Sequence, residues 1–172
     1  ELGLALAKEA AELVWGSPEA GLAIFTKKSG VPTISLFPWE HGSFANQVAA
    51  FLEREGWLKA ADFAALAPRP SLEGGVLQRL DQFTSGLVMV ALNPPSKRLF
   101  RELFSRSALE KSYLALVTGS AAALAGSHEL WLSTEGGASV RAAREPLKGK
   151  CEKVSINIEI CKSSPQGACV RV

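Results

Sequence analysis

A chain of 172 residues can bury one good hydrophobic core with a small appendage. Its 47% hydrophobic and 21% charged residues are ordinary for a soluble globular protein, and a net charge of +2 leaves any nucleic-acid surface to local clustering. No apolar run approaches the roughly 18 residues of a membrane span. The cysteines at 151, 161 and 169 are odd in number and lack the close pairs of zinc sites, so they read as reduced thiols in a reducing compartment, the cytoplasm.

The first residues carry acids and no basic lead, which argues against a signal peptide, and the missing initiator Met fits a trimmed chain or a piece of a longer protein. Residues 2–14 are rich in Ala and Leu and end at Gly16-Ser17-Pro18, which predicts a helix within a helical extension over 1–20. Leu22–Thr26 is a short apolar run, predicting a buried strand, and Lys27–Pro32 is a turn. Ser43–Glu55 fits a helix, with Phe44, Val48, Phe51 and Leu52 on one face and Gly56 to close it. The Ala, Pro and Gly of 59–75 predict a surface loop. Leu87–Leu92 is a strand, after which Asn93-Pro94-Pro95-Ser96 offers Ser96 as the cap of a helix over 97–107.

Further on, Lys111–Thr118 alternates as a strand, with Tyr113, Ala115 and Val117 on one face and Leu114 and Leu116 on the other. Val154–Cys161 and Ala168–Val172 predict a hairpin around a loop of five or six residues. The order is no regular βαβ alternation, so the expected class is α+β: a mixed, largely antiparallel sheet flanked by helices in one domain over 1–172. Phosphate loops, Gly-rich dinucleotide turns and His/Cys clusters are absent from the sequence, which predicts neither metal nor cofactor. His41 and His128 stand alone and read as surface residues.

The chemistry concentrates at residues 78–93, where Asp81 lies in a short polar loop running into an apolar strand. A carboxylate there is costly unless it has a partner or a task; the bland alternative is a turn cap through Thr84 or Ser85. Arg79-Leu-Asp-x-x-Thr-Ser-Gly86, followed by Ala-Leu-Asn-Pro94, closely resembles the catalytic signature of the RluA-type pseudouridine synthases. Lys111-x-Tyr-x-Ala-x-Val-x-Gly119 resembles that family's second signature, and Ile24–Thr33 its early strand and turn, with Lys28 where Pro is usual. Ser85-Gly86 favours this branch over the RsuA branch. The resemblance covers about 22–172.

What it implies is isomerisation of uridine to pseudouridine in structured RNA, ribosomal or transfer, without a cofactor and without an obligatory protein partner. Asp81 would be the catalytic carboxylate. Tyr113 would stack on the target base, its bland alternative being a core tyrosine. Arg79 would fill the gap left by a flipped nucleotide, its alternative being a pair with Asp81. Gln78 departs from the family's usual His. Lys27, Lys28, Arg98, Arg101 and Lys111 are candidate phosphate contacts; a merely solvated helix face is the alternative for Lys97, Arg98, Arg101 and Arg106. The family's later Thr-Gly-Arg-x-His-Gln motif has no match before Val172, which leads to the expectation of an incomplete sheet and an isolated chain that is inactive. Two rivals remain: an RNA-binding protein of the same fold that does not catalyse, and a glycosidase, which needs a second acid, Glu73 being the nearest upstream.

Overall fold

The computed structural model describes residues 11–37, 40–67, 73–119, 122–133, 140–164 and 166–172. They fall into two compact units, one ending at Leu109 and one running from Glu110 to Val172.

In the first unit, β1 (Glu12–Ser17), β2 (Leu22–Lys27) and β3 (Gly86–Ala91) form an antiparallel sheet in that order. The predicted helix over 2–14 is corrected at its C-terminal end, where β1 pairs with β2; residues 2–10 lie outside the described set. Ala and Leu favour a helix by only tenths of a kcal/mol per residue, and Val14 and Trp15 suit a strand that gains a ladder from its neighbour. Alternation along β2 sends Ala23, Phe25 and Lys27 to the buried face, opposite Val88 and Val90 of β3.

Against that face lies α1 (Phe44–Arg54), as predicted, with Phe44, Val48 and Leu52 buried at helical spacing. Ser43 caps it by accepting from the Asn46 amide at 3.3 Å. Phe25 meets Phe44 and Phe51 edge-on, with ring centroids 6.4 and 5.2 Å apart. The expected loop over 59–75 contains a short helix, α2 (Ala60–Ala65), pinned by the buried Phe63; its composition hides it because only one residue is a large anchor.

The third helix, α3 (Pro94–Ser105), starts earlier than expected and is capped by Asn93, whose side chain accepts from the Ser96 amide at 2.9 Å. Pro94 and Pro95 fill the first two helical positions, where no amide is needed. Ser96, expected as the cap, instead donates its hydroxyl to the Ala20 carbonyl at 3.1 Å. None of Leu99, Phe100, Leu103 and Phe104 is buried; the buried residues of α3 are Ser96 and Lys97.

The second unit is a five-stranded antiparallel sheet in the order β4 (Leu114–Thr118), β8 (Gly167–Arg171), β7 (Glu152–Ser164), β5 (Gly126–Ser133), β6 (Arg141–Ala143). Its small core is Ala168 and Val170 with Ala115, Val117, Ile158, Ile160 and Val172 packed around them. The predicted hairpin is present but tighter, since pairing extends to Ser164 opposite Gly167. β4 forms one edge, with Leu114 and Leu116 on the outer face, 71% and 87% exposed. Among the described residues no helix is long and apolar enough to cross a membrane. The architecture is the expected α+β class with antiparallel sheets and few helices.

Candidate active site

The approach to Asp81 runs along the free edge of β3. The Ala91 amide donates to the Gly75 carbonyl at 2.8 Å and the Leu77 amide to the Met89 carbonyl at 3.0 Å. Gly75 is required there, because a Cβ would sit 2.1 Å from the Ala91 oxygen. Gln78 extends the ladder with its side chain: its Oε1 accepts from the Met89 amide at 3.2 Å, and its Nε2 donates to the Leu87 carbonyl at 3.4 Å. Gln78 therefore sets the register of the segment that delivers Arg79 and Asp81.

The loop itself is riveted to the 27–33 turn that follows β2. Thr33 does this twice at Leu80, its buried hydroxyl donating to the Leu80 carbonyl while accepting from the Leu80 amide at 3.1 Å. The Gly30 amide donates to the Gln82 carbonyl at 2.9 Å, the Gln82 side chain returns a bond to the Gly30 carbonyl at 3.1 Å, and Ser29 donates to the Phe83 carbonyl at 2.8 Å. Asp81 closes a turn by accepting from the Thr84 amide through its backbone oxygen at 3.0 Å. The residues on both sides of Asp81 are thus held by hydrogen bonds from another part of the chain.

The Asp81 side chain is exposed and, among the described residues, forms no ion pair or side-chain hydrogen bond. The expected burial penalty does not arise, and neither does the carboxylate cap through Thr84 or Ser85. Its charge acts on Lys27.

Lys27 does not fit the phosphate contact expected of it. It is fully buried, and its Nζ donates to the carbonyls of Val31, Lys28 and Gln82 at 2.7, 3.1 and 3.1 Å. Burial lowers its pKa, and the Asp81 charge partly offsets that. Strand alternation is the signal that points to this, since Lys27 shares parity with Ala23 and Phe25. Lys28 is exposed.

Arg79 is exposed and lies 4.0 Å from Glu73, so the alternative of a pair with Asp81 is replaced by a loose contact with Glu73. Glu73 thus faces the Arg79 guanidinium. Lys97, on the buried side of α3, donates to the Gly74 carbonyl; burial lowers its pKa, with Arg101 adding to that and Glu73 opposing it. This bond ties α3 to the start of the segment leading to Asp81, a role that no motif in the sequence signals. Arg98 and Arg101 are exposed, whereas Arg106 is paired with Glu102 one turn back.

In the second unit, Tyr113 immediately precedes β4 and is 40% exposed, so the core-tyrosine alternative falls away. Its backbone extends the sheet, exchanging bonds of 2.8 and 2.9 Å with Val172. Lys111 is exposed.

Asp81 is thus an exposed acid on a loop held by hydrogen bonds from the 27–33 turn, and that loop leads into an antiparallel sheet. The family described as RNA pseudouridylate synthase matches residues 21–162. The chain belongs to that family. It is similar to tRNA pseudouridine synthase C of Haemophilus ducreyi, 38% identical over 78 residues that make up 43% of this chain and 32% of the relative. Its fold resembles the solved structure of human RNA pseudouridylate synthase domain containing 4, with a TM-score of 0.63 and 14% identity over 99% of this chain and 60% of that one. The chain spans about a third of the curated relative's length.

Proposed function

We propose that the protein isomerises uridine to pseudouridine in structured RNA, with Asp81 as the catalytic carboxylate. The N1–C1′ bond breaks, the uracil turns, and C5 bonds to C1′; the proton lost from C5 is balanced by one gained at N1, so no cofactor is consumed. Asp81 can attack C1′ or remove a proton from the sugar. Tyr113 supplies the ring that stacks on the target uracil. Arg79 fills the vacancy left by the flipped nucleotide, a task suited to a planar cation. Arg98, Arg101, Lys28 and Lys111 hold the phosphates. Residues 21–172 act together as one catalytic domain. Transfer RNA is the favoured substrate because the curated relative is named for it, with ribosomal RNA as the alternative. The free cysteines suit a reducing compartment, and we place the reaction in the cytoplasm.

The observation that carries this reading is the Asp81 loop: an exposed carboxylate whose neighbours, and not itself, are hydrogen-bonded into place. Pre-ordering a reacting group without quenching it is what catalysis by positioning requires. The test is tritium release from RNA carrying 5-tritiated uridine, by the full-length protein. Asp81→Asn should lower turnover by a factor on the order of 10³ or more and leave RNA affinity within about twofold. Equal tritium release by the variant would remove Asp81 from the chemistry. If neither protein releases tritium but both bind RNA, the non-catalytic binder of the same fold is the correct account.

A further inference from the structure

The second unit carries a pair of thiols that the RNA chemistry does not use. Between β7 and β8, Ile160 is opposite Val170 and Lys162 is opposite Cys169, which leaves Cys161 as the extra residue of a β-bulge. In such a bulge two residues oppose one, so Cys161 and Lys162 both face Cys169. Ile160, Val170 and Ala168 all turn toward the small core of this unit. Alternation then sends Cys161 and Cys169 to the opposite, outer face. Both are free thiols, Cys161 exposed and Cys169 half-buried.

Lys162 lies directly opposite Cys169, and Cys161 is its chain neighbour in the bulge, beside a pair whose Cα atoms lie about 4.5–5.5 Å apart. A disulfide spans about 4.4–6.8 Å. An open hollow of about 390 Å³ adjoins Cys169, with Leu116, Lys162 and Gln166 among its walls, and Cys161 is itself exposed to a small reagent.

We propose that Cys161 and Cys169 form a reversible dithiol–disulfide site, oxidised by a small-molecule disulfide of the glutathione class. The exposed Cys161 thiolate attacks one sulfur of the reagent, forming a mixed disulfide and expelling one reagent thiolate. The Cys169 thiolate then attacks Cys161 Sγ, forming the cross-strand bond and expelling the second. Two protein thiols lose two protons and two electrons, and one reagent disulfide becomes two thiols. Transient bonds of this kind are the form in which disulfides occur in reducing compartments. The oxidised bond would staple β7 to β8, the strand that also pairs with β4.

The experiment treats the native full-length protein with oxidised glutathione, quenches with acid, alkylates under denaturing conditions and maps peptides by mass. Within this chain free thiols should fall from three to one, with Cys161 linked to Cys169, Cys151 alkylated, and the change reversed by dithiothreitol. Cys169→Ser should retain glutathione on Cys161 because the resolving thiol is gone, and Cys151→Ser should form the same cross-strand link. Retention of three alkylated thiols, a stable glutathione adduct on Cys161 in the unsubstituted protein, or a link involving Cys151 would each overturn the proposal. The mapping on unsubstituted protein decides the matter even where a variant folds poorly.

Discussion

Replacing Lys27 with methionine keeps the length of the buried stem but removes the ammonium that gathers the carbonyls of Lys28, Val31 and Gln82. The Gln82 carbonyl keeps its bond from the Gly30 amide, but the part-buried carbonyls of Lys28 and Val31 lose this donor, at a cost of up to about 1–3 kcal/mol each, partly offset by no longer burying a charge. We expect Lys27→Met to destabilise the protein by about 2 kcal/mol at neutral pH in urea unfolding. The pH dependence has a definite sign. Burial lowers the folded pKa of Lys27, so the unfolded chain holds this proton more tightly. Its contribution to stability is complete above the unfolded value, about 10.4, and is lost as pH falls through the lowered folded value. Stability should therefore rise with pH just below about 10.4 relative to Lys27→Met, in which this increment is absent; equal slopes would show that Lys27 keeps its ordinary affinity. The Asp81 loop stands out in the sequence because the flanking residues form a signature. Lys27 does not, because a lysine beside a turn resembles a surface charge, and only strand parity reveals where it points.

At the scale of elements, the turn after β2 and the Asp81 loop behave as one piece, and Thr33 is its most economical test. Thr33→Val keeps the shape while removing a hydroxyl that both donates to and accepts from Leu80. Two buried backbone groups lose their partner, so we expect a loss of about 1–3 kcal/mol together with a fall in kcat larger than the change in KM. Unaltered kcat would show that the loop is held without Thr33. The elements readable in advance are those with a strong period or a solid apolar run: α1 through Phe44, Val48 and Leu52, and β2 and β3 through their buried residues. The first residues of β1, Glu12 to Val14, read as helix because their pairing partner is invisible in a local window. β5 and β6 escape a local reading, since Leu130-Trp131-Leu132 is short and surrounded by small or polar residues, and β6 is only three residues long.

At the scale of the whole molecule, a net charge of +2 gives little general attraction for RNA, so affinity should depend on a few exposed cations. Reversing Arg98 and Arg101 together to Glu should weaken RNA binding at least tenfold and lower the slope of log affinity against log salt by about 1 for each phosphate no longer neutralised. Both side chains project from the exposed part of α3, so unfolding should change little. An unchanged salt slope would place the phosphates elsewhere. The α+β class is legible because strands and helices do not alternate regularly. The division into two compact units is not, because no linker composition marks the passage near Leu109.

The outer strand of the second sheet bears on how the protein behaves in a crowd of its own copies. β4 pairs on one side only among the described residues, and between 114 and 118 it contains no lysine, proline or bulge of the kinds that keep a strand edge from recruiting another chain. Leu114 and Leu116 add an apolar surface beside that open edge. Strand-to-strand self-association of the isolated 172-residue chain at high concentration is the expected outcome, visible as a sedimentation coefficient that rises with loading. Leu116→Lys should abolish that rise, placing a charge at the edge where two copies would otherwise meet.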